Sequence, residues 1–350
     1  MEEPAFTSLT NTGTHPQAPQ TLMEVFNMKD ILGIDVSKDK FDVVLLRDSG
    51  SRHKVFANNA AGFEALRRWL RNRGVNGLHA CMEATGCYWE ALAMALHEAG
   101  YMVSVVNPAR VKAFAQSQMR RTKNDRVDAM VIADFCRALE PHPWSPPAPE
   151  LRQLQALTRR LEDLQGLQAQ EKNHLSSADS AQEVTQSIQR TIALLQAEID
   201  SLQRQIEGHM EAHPMLKQRC TLLTSIPGVG PATAASLIAE LAHIATFSSA
   251  RQLAAYAGLV PSERRSGSSL RGRPHLSKAG RTQLRKILFY PALVATRYNP
   301  PIRSFYRRLL DAGKPKMLAL AACMRKLLHI IFGVLKHNAP FNPSYQPCFA

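Results

Sequence analysis

The stretch ILGIDVSKDKFDVVLL, residues 31–46, decides the fold of the N-terminal part of the chain. ILGID (31–35) and FDVVLL (41–46) are short apolar runs typical of buried strands. The turn-forming residues Ser37, Lys38 and Asp39 separate them. The stretch therefore predicts two strands joined by a tight turn.

The segments that follow extend this sheet. Further strand-like runs are HKVFA (53–57), LHACME (78–83) and YMVSVV (101–106), and helical segments are expected at 88–99, 108–118 and 123–139. Three successive strands followed by alternating helices and strands predict a mixed α/β sheet rather than a doubly wound one.

Composition divides the remainder of the chain. The first residues are rich in Thr, Pro, Gln and Asn without a period, and five prolines lie between Pro141 and Pro149. We expect a disordered tail (1–29), an α/β domain (30–140), a Pro-rich linker (141–150), coiled-coil helices (151–215) and a basic, mainly helical domain (216–345).

Two leucine and isoleucine seams support the coiled-coil assignment. Their members recur every three or four residues, and a Ser/Ala/Asp-rich break at 176–181 separates them. The pattern predicts an antiparallel helical hairpin. A helix pair that packs on the body of the protein and an intermolecular coiled coil are equally compatible with it. The seam residues are Leu154, Leu157, Leu161, Leu164, Ile188, Ile192, Leu195, Ile199, Leu202 and Ile206.

Positive charge is concentrated at the C-terminal end. The chain carries 43 Lys and Arg against 29 Asp and Glu, and from Arg251 onward the numbers are 18 and 2. A basic module on an otherwise neutral chain favours a polyanion, either nucleic acid or an acidic membrane surface. The uncharged run Cys220–Ala239 is broken by prolines and glycines, so it predicts two short helices rather than a membrane span.

The six cysteines lie in no metal-binding spacing, and no secretion signal pattern opens the chain. We therefore expect a cytoplasmic protein with reduced thiols.

Four carboxylates form a candidate metal site. Asp35 and Glu83 close predicted strands, and Asp125 and Asp128 share one face of a predicted helix. Such a set can bind two divalent cations for phosphoryl transfer, with Mg²⁺ or Mn²⁺ preferred by hard oxygen ligands. The alternative is that Asp125 stabilises a helix N-terminus and that Asp128 is a solvated partner of Arg121 or Arg126. The neighbouring Arg120, Arg121 and Lys123 indicate a nearby phosphate.

The basic domain holds two candidate phosphate-binding features. In SIPGVGPATAASLIAE (225–240), amides near Gly228 and Gly230 can bind a phosphate, or the glycines can simply form a helical corner. In YAGLVPSERRSGSSLRGRPHLSKAGRTQLRKIL (256–288), a hydroxyl among cations can act as a nucleophile or belong to a polar loop. The residues that carry this segment are Arg264, Arg265, Ser266, Ser268, Ser269, Arg271, Arg273, Lys278, Arg281, Arg285 and Lys286.

Several of these motifs together resemble a known family. GIDVSKDKFDV (33–43), MEATGCYWE (82–90), VNPARVKAFAQS (106–117) and RTKNDRVDAMVIADFC (121–136), with SGSSLRG and SKAG downstream, are similar to the IS-one-ten (IS110) insertion-sequence transposases, relatives of the Piv and MooV DNA invertases. The resemblance extends from about Ile31 to Phe341.

The resemblance implies a fold and a chemistry. It implies an RNase H-like (RuvC-like) N-terminal domain with a catalytic, Mg²⁺-binding Asp-Glu-Asp-Asp tetrad at Asp35, Glu83, Asp125 and Asp128. It further implies a C-terminal transposase domain with a helix-hairpin-helix-like element, whose catalytic serine is Ser266. A transient phosphoserine–DNA link would then permit strand exchange without ATP.

The resemblance also implies partners and leaves alternatives. The implied partners are donor and target double-stranded DNA, a structured noncoding bridge RNA, and further copies of the chain as a homodimer or homotetramer. No membrane partner is implied. The protein would act at the nucleoid. The remaining alternatives are a metal-dependent Holliday-junction-type nuclease, a site-specific DNA invertase and a non-catalytic binding protein.

Overall fold

The computed structural model describes residues 30–119, 124–177, 181–262, 265–266, 270–271, 275–277 and 279–344. The chain divides into two compact units between Pro146 and Pro147. The division falls inside the Pro-rich segment at 141–150. The tail at 1–29 lies outside the described residues.

The N-terminal unit is built on a five-stranded mixed sheet. Its strands are β1 (Ile31–Val36), β2 (Lys40–Arg47), β3 (Gly50–Ala57), β4 (His79–Glu83) and β5 (Met102–Val106), in the spatial order β3-β2-β1-β4-β5. β1, β2 and β3 pair antiparallel, whereas β4 is parallel to β1 and β5 is parallel to β4. The prediction of a mixed sheet is confirmed.

Helices cover both faces of this sheet. They are α1 (Ala60–Arg71), α2 (Glu90–Glu98), α3 (Pro108–Ser117) and α4 (Asp125–Leu139). Because side chains alternate along a strand, Leu32 and Ile34 join one core with α1 and α2. Ile31 lies in the opposite core with residues of α3 and α4.

The first part of the Pro-rich segment is fixed to the N-terminal unit. The Trp144 amide donates to the Val103 carbonyl at 2.7 Å, and the Ser104 hydroxyl donates to the Pro141 carbonyl at 2.7 Å. The Trp144 ring meets the Trp89 ring edge to face. Residues 141–144 therefore lie alongside β5 and belong to the N-terminal unit.

The C-terminal unit is mainly helical. Two long helices, α5 (Pro149–Ser177) and α6 (Gln182–Ala212), run antiparallel, with the Gln168 side chain donating to Gln196 at 2.8 Å. The predicted hairpin is therefore confirmed. Its leucines, including Leu154 and Leu161, belong to the same core as the helices that follow. In this part of the hairpin the two helices therefore pack on the rest of the C-terminal unit, which is one of the two arrangements that the sequence allowed.

The remaining helices complete that core. They are α7 (Pro214–Thr224), α8 (Pro231–Glu240), a 3₁₀ turn (Ile244–Thr246), α9 (Ala250–Tyr256), α10 (Thr282–Tyr298), α11 (Pro300–Asp311) and α12 (Lys316–His337). α7 and α8 are the two short helices predicted within the uncharged run. α12 is, among the described residues, the helix long and apolar enough to cross a membrane, but half of its apolar stretch is buried inside the unit.

Four very short strands lie between α9 and α10. β6 (Pro261–Ser262) pairs antiparallel with β9 (His275–Leu276), and β7 (Arg265–Ser266) pairs with β8 (Leu270–Arg271). The β7–β8 ladder is nested within the β6–β9 ladder in the order of the chain. The sequence had not predicted strands here.

Candidate active site

The strands place two of the predicted carboxylates at one end of the sheet. Asp35 is the fifth residue of β1 and Glu83 is the last residue of β4. Ile34 pairs with Met82 in the parallel register, so Asp35 and Glu83 follow side by side. Side chains alternate between the two faces of a strand, so Asp35 lies on the same face as Ile31 and Glu83 on the same face as Cys81. Ile31 and Cys81 pack with residues of α4, and this face of the sheet is therefore the one that α4 covers.

A glycine brings the other two carboxylates to the same end. A Cβ atom on Gly33 would lie 2.1 Å from the Ala129 carbonyl oxygen and 2.4 Å from the Ala133 amide nitrogen. Only a glycine therefore lets the backbone of α4 rest directly on β1. The first turn of α4 carries Asp125 and Asp128, and Asn124 caps it by accepting from the Val127 amide.

The resulting electrostatics show that these carboxylates influence one another. Burial, together with repulsion from Asp128 and Asp125, raises the pKa of Asp35 to about 6. Like charges gathered at a partly buried position are costly unless a cation joins them. The structure thus brings three of the four predicted acids into one electrostatic group.

Sequence reasoning missed a lysine in this group. Lys40 Nζ lies 2.7 Å from Asp125 Oδ2 and 3.5 Å from Asp42 Oδ2. The hydrogen bond to Lys40 lowers the pKa of Asp125, and the same bond raises the pKa of Lys40. The basic neighbours predicted for the helical acids, Arg120, Arg121 and Lys123, did not include Lys40.

From the sequence alone, Asp42 is predicted to occupy an exposed position on its strand, and this prediction is wrong. Asp42 pairs with Asp35 in the antiparallel register and is only 4% exposed. His53 Nε2 lies 2.7 Å from its Oδ1 atom and compensates its burial. The signal was available, because Asp42 and Asp35 lie on the same face of adjacent strands.

The donor chemistry of this sheet end suits a divalent cation. Carboxylate oxygens are the ligands that Mg²⁺ and Mn²⁺ prefer, and the Lys40 ammonium already bridges two of these carboxylates. Within the described ranges, no three Asp, Glu, His or Cys side chains lie close enough together to hold a metal ion as they stand. Ligation therefore requires rotation of at least some side chains.

A structural role is clear for one glycine of the predicted phosphate-binding corner between α7 and α8. Gly228 has a φ of +106°, and a Cβ atom there would lie 2.8 Å from the Pro291 carbonyl oxygen of α10. The Val229 amide donates to the Ile226 carbonyl at 3.0 Å. Gly230 is exposed at the start of α8. The helical-corner alternative accounts for Gly228.

Two predicted nucleic-acid-binding arginines hold the C-terminal unit together. Arg285 donates to the carbonyls of Ala257 and Gly280, at 2.9 and 3.2 Å. Arg281 Nη2 lies 3.3 Å from the Glu240 carboxylate, which is largely buried. The donors of Arg285 are thus committed to the end of α9, a role that spacing alone did not indicate.

The predicted nucleophile lies in the short ladders. The backbone of Ser266 pairs with that of Leu270, and the backbone of Arg265 pairs with that of Arg271. The other predicted residues of this region lie outside the described residues, as do the basic residues that precede α4. These are Arg264, Ser268, Ser269, Arg273 and Lys278, and Arg120, Arg121 and Lys123.

Comparison with known families covers both units. A family model described as "Transposase" matches residues 32–178, and a model described as "Transposase IS116/IS110/IS902 family" matches residues 220–307. The first match includes the whole sheet with α4, and the second includes α8 to α10 and the short ladders.

Full-length relatives agree with these matches. The pilin gene-inverting protein of Moraxella bovis is 33% identical over 323 residues, which is 90% of this chain and 98% of that protein. The transposase for insertion sequence element IS1111A of Coxiella burnetii is 27% identical, covering 90% of this chain and 93% of its own length. The chain belongs to the IS116/IS110/IS902 family of transposases.

Proposed function

We propose that this transposase exchanges DNA strands through a transient phosphoserine link. Ser266 is the nucleophile, and Asp35, Glu83, Asp125 and Asp128 hold Mg²⁺ or Mn²⁺. The observation that carries the proposal is the contact of α4 with Gly33, because it gathers the acids of two separate sequence motifs at one end of the sheet.

The proposed step conserves the number of phosphodiester bonds. The Ser266 hydroxyl loses its proton and its oxygen attacks a DNA phosphorus. The bond from phosphorus to the sugar oxygen of the leaving strand breaks, and that oxygen takes a proton. In the reverse step, a sugar hydroxyl of a second strand displaces serine. No ATP is needed, because each bond that breaks is replaced by one of similar energy.

The acids at the sheet end have distinct tasks. Bound Mg²⁺ or Mn²⁺ would stabilise the charge that develops on the phosphate and on the attacking and leaving oxygens. Asp35 supplies the partly buried carboxylate, while Asp125 and Asp128 reach the site from the first turn of α4. Lys40 pairs with Asp125 and would compete with a metal ion for that carboxylate.

The fold supports this assignment. The order β3-β2-β1-β4-β5, with the first three strands antiparallel and the last two parallel to β1, is the arrangement expected of an RNase H-like domain. We assign the N-terminal unit to that fold. Acids at the ends of its central strands then occupy the place where its chemistry is expected.

The partners follow from the charge and from the family. A transposase acts on DNA, and the net charge of the last hundred residues suits a polyanion. We extend this to a guide RNA that pairs with donor and target DNA, and to a homodimer or homotetramer that holds the two duplexes together. The protein would work in the cytoplasm, at the nucleoid.

Site-specific inversion is a second candidate. The Moraxella bovis relative is named for inversion of a pilin gene and aligns over nearly its whole length. Inversion and transposition use the same strand-exchange step and differ in the arrangement of the two recombining sites. The same catalytic residues would therefore serve both outcomes.

Recombination between a donor and a target plasmid tests the proposal, with covalent protein–DNA adducts trapped by detergent. We expect Ser266→Ala and Asp125→Ala to abolish both recombination and adducts, the second by loss of metal. Ser269→Ala serves as a matched control from the same motif and should retain both.

Two results would overturn the assignment. Recombination by Ser266→Ala would show that another group is the nucleophile. Cleavage by the wild-type protein that leaves only free DNA ends, with no adduct, would show a structure-specific nuclease instead.

A further inference from the structure

One exposed stripe on α10 combines cations with an aromatic ring. Thr282, Lys286, Tyr290, Leu293 and Arg297 are all exposed, and they follow one another at spacings of 4, 4, 3 and 4 residues. This spacing keeps them on one helical face, opposite the buried Leu288 and Ala292. Along the helix axis, Lys286 lies about 6 Å and Arg297 about 11 Å from Tyr290.

Tyr290 contributes little to the core of its own unit. Its side chain is 72% exposed, although a tyrosine is among the largest apolar surfaces a protein can bury. Its ring meets the Phe289 ring edge to face, with centroids 5.3 Å apart. The contact with Phe289 restrains the ring while leaving it open to solvent.

A groove runs beside this ring, between α10 and α12. Its volume is about 410 Å³, which is within the range of small-molecule sites. Its wall is apolar at Phe289, Tyr290 and Met324 and basic at Lys286. The lining residues are Thr282, Arg285, Lys286, Phe289, Tyr290 and Met324.

These groups match the parts of a nucleotide. A nucleobase offers a flat π face for Tyr290 and Phe289, while its phosphate offers a charge for Lys286. Arg285 is less suited to the phosphate, because its donors already bind two backbone carbonyls. We propose that the groove between α10 and α12 binds an unpaired nucleotide, with the base on Tyr290 and the phosphate on Lys286.

Two other occupants fit the groove less well. Among the described residues that line it, Arg285 and Lys286 are cations and none is an acid. A symmetric contact with a second copy would bring these cations against each other. Intact duplex DNA would supply phosphates but keep its base faces stacked and out of reach.

The inference rests on the proposed function, which makes nucleic acid the partner. Unpaired nucleotides have two sources in strand exchange, a loop of RNA and a melted DNA strand. The shared chemistry is a base with its phosphate, so the test compares both sources with duplex DNA.

The test measures binding of the full chain to short fluorescein-labelled single-stranded RNA, single-stranded DNA and duplex DNA of one sequence, by fluorescence anisotropy. Loss of one base–aromatic stack should weaken single-strand binding by Tyr290→Ala about 5- to 150-fold. Tyr290→Phe keeps the ring and should bind like wild type. Duplex binding should be unchanged by either substitution.

Tyr298→Ala is the matched control. Tyr298 is on the same helix and 69% exposed, but it lies about 80° around the axis from Tyr290. Equal losses from Tyr290→Ala and Tyr298→Ala would show a general surface effect and overturn the groove. Unchanged single-strand binding by Tyr290→Ala would also overturn the groove. A wild-type chain that binds no nucleic acid would instead contradict the proposed function.

Discussion

The sheet end around Asp35 and the C-terminal unit around Gly228 both use a glycine for close backbone approach, but they differ in how their charges are arranged. At the sheet end, Gly33 lets α4 approach β1, and the acids that meet there repel one another. At the corner, Gly228 lets α10 approach the turn between α7 and α8. In the same unit, Arg281 pairs with the Glu240 carboxylate and Arg285 donates to two carbonyls. The sheet end thus gathers carboxylates of like charge, whereas these two cations of the C-terminal unit lie against acceptors.

The comparison separates function from architecture. Folded chains seldom keep like charges together without a compensating gain, so the acidic cluster supports the metal site that we propose. Arginines whose donors are filled stabilise the fold and have less to offer a ligand. Residue type and spacing alone did not distinguish these two cases.

Asp35→Asn is expected to have the largest effect on strand transfer, because it removes a charge from the acidic sheet end. The amide has nearly the same shape but lacks the charge that a metal ligand needs, so strand transfer should fall about a hundred-fold or more. Asp39→Asn is the control, because Asp39 lies in the exposed turn after β1. Plasmid recombination measures both. Full activity of Asp35→Asn would remove the acidic cluster from the mechanism.

Gly33→Ala tests the close contact itself. The added Cβ meets the backbone of α4, so the free energy of unfolding should fall by about 1–3 kcal/mol or more. All three tryptophans, Trp69, Trp89 and Trp144, precede the division between units, so tryptophan fluorescence in urea reports on the N-terminal unit alone.

Gly166→Ala is the control for that measurement. Gly166 lies within α5 of the other unit, and nothing lies within 4 Å of an added Cβ. The tryptophan-reported transition should stay in place. If Gly33→Ala left it in place as well, α4 would not rest on β1 as described.

Two arginines of α10 are expected to have different roles, one in stability and one in nucleic-acid binding. Arg285→Ala leaves two carbonyls without their charged donor and should lower the free energy of unfolding by about 1–3 kcal/mol. Arg297→Ala is exposed and should leave stability unchanged, but reduce the salt dependence of nucleic-acid binding by about one phosphate contact. Circular dichroism in urea and anisotropy at several salt concentrations measure the two effects. The reverse pattern would contradict the separate roles.

Lys40→Met gives the smallest effect. Removal of the ammonium frees Asp125 for a metal, but exposed ion pairs are weak, so the affinity for Mn²⁺ should rise by no more than about five-fold. Lys38→Met, in the exposed turn, should leave the affinity unchanged. Calorimetric titration measures both. A fall in affinity for Lys40→Met would show that the lysine supports the site rather than competing for it.

The strands and the acids could be predicted because they have local signals. Apolar runs placed all five strands of the sheet to within about two residues at most of their ends, apart from the start of β3. Asp35 and Glu83 were identified because each ends such a run. Gly33 within an apolar strand was also a signal of close backbone approach, although the partner that approaches could not be read from the sequence.

The remainder depended on tertiary contacts. The burial of Asp42 arises from the pairing of β1 with β2 and from His53 on β3. The filled donors of Arg285 depend on the end of α9. The strands beside Ser266 have two residues each, which is too short for an alternating pattern to appear.

Binding of Mn²⁺ to the full chain, followed by electron paramagnetic resonance as the pH is lowered, tests the central claim most directly. Asp35 must lose its proton to bind a metal, and its pKa is raised to about 6. We expect the affinity to fall steadily below that pH and to be largely lost in Asp35→Asn at any pH. Affinity that stays constant down to the ordinary range of an aspartate, or that survives in Asp35→Asn, would contradict a metal site at this end of the sheet.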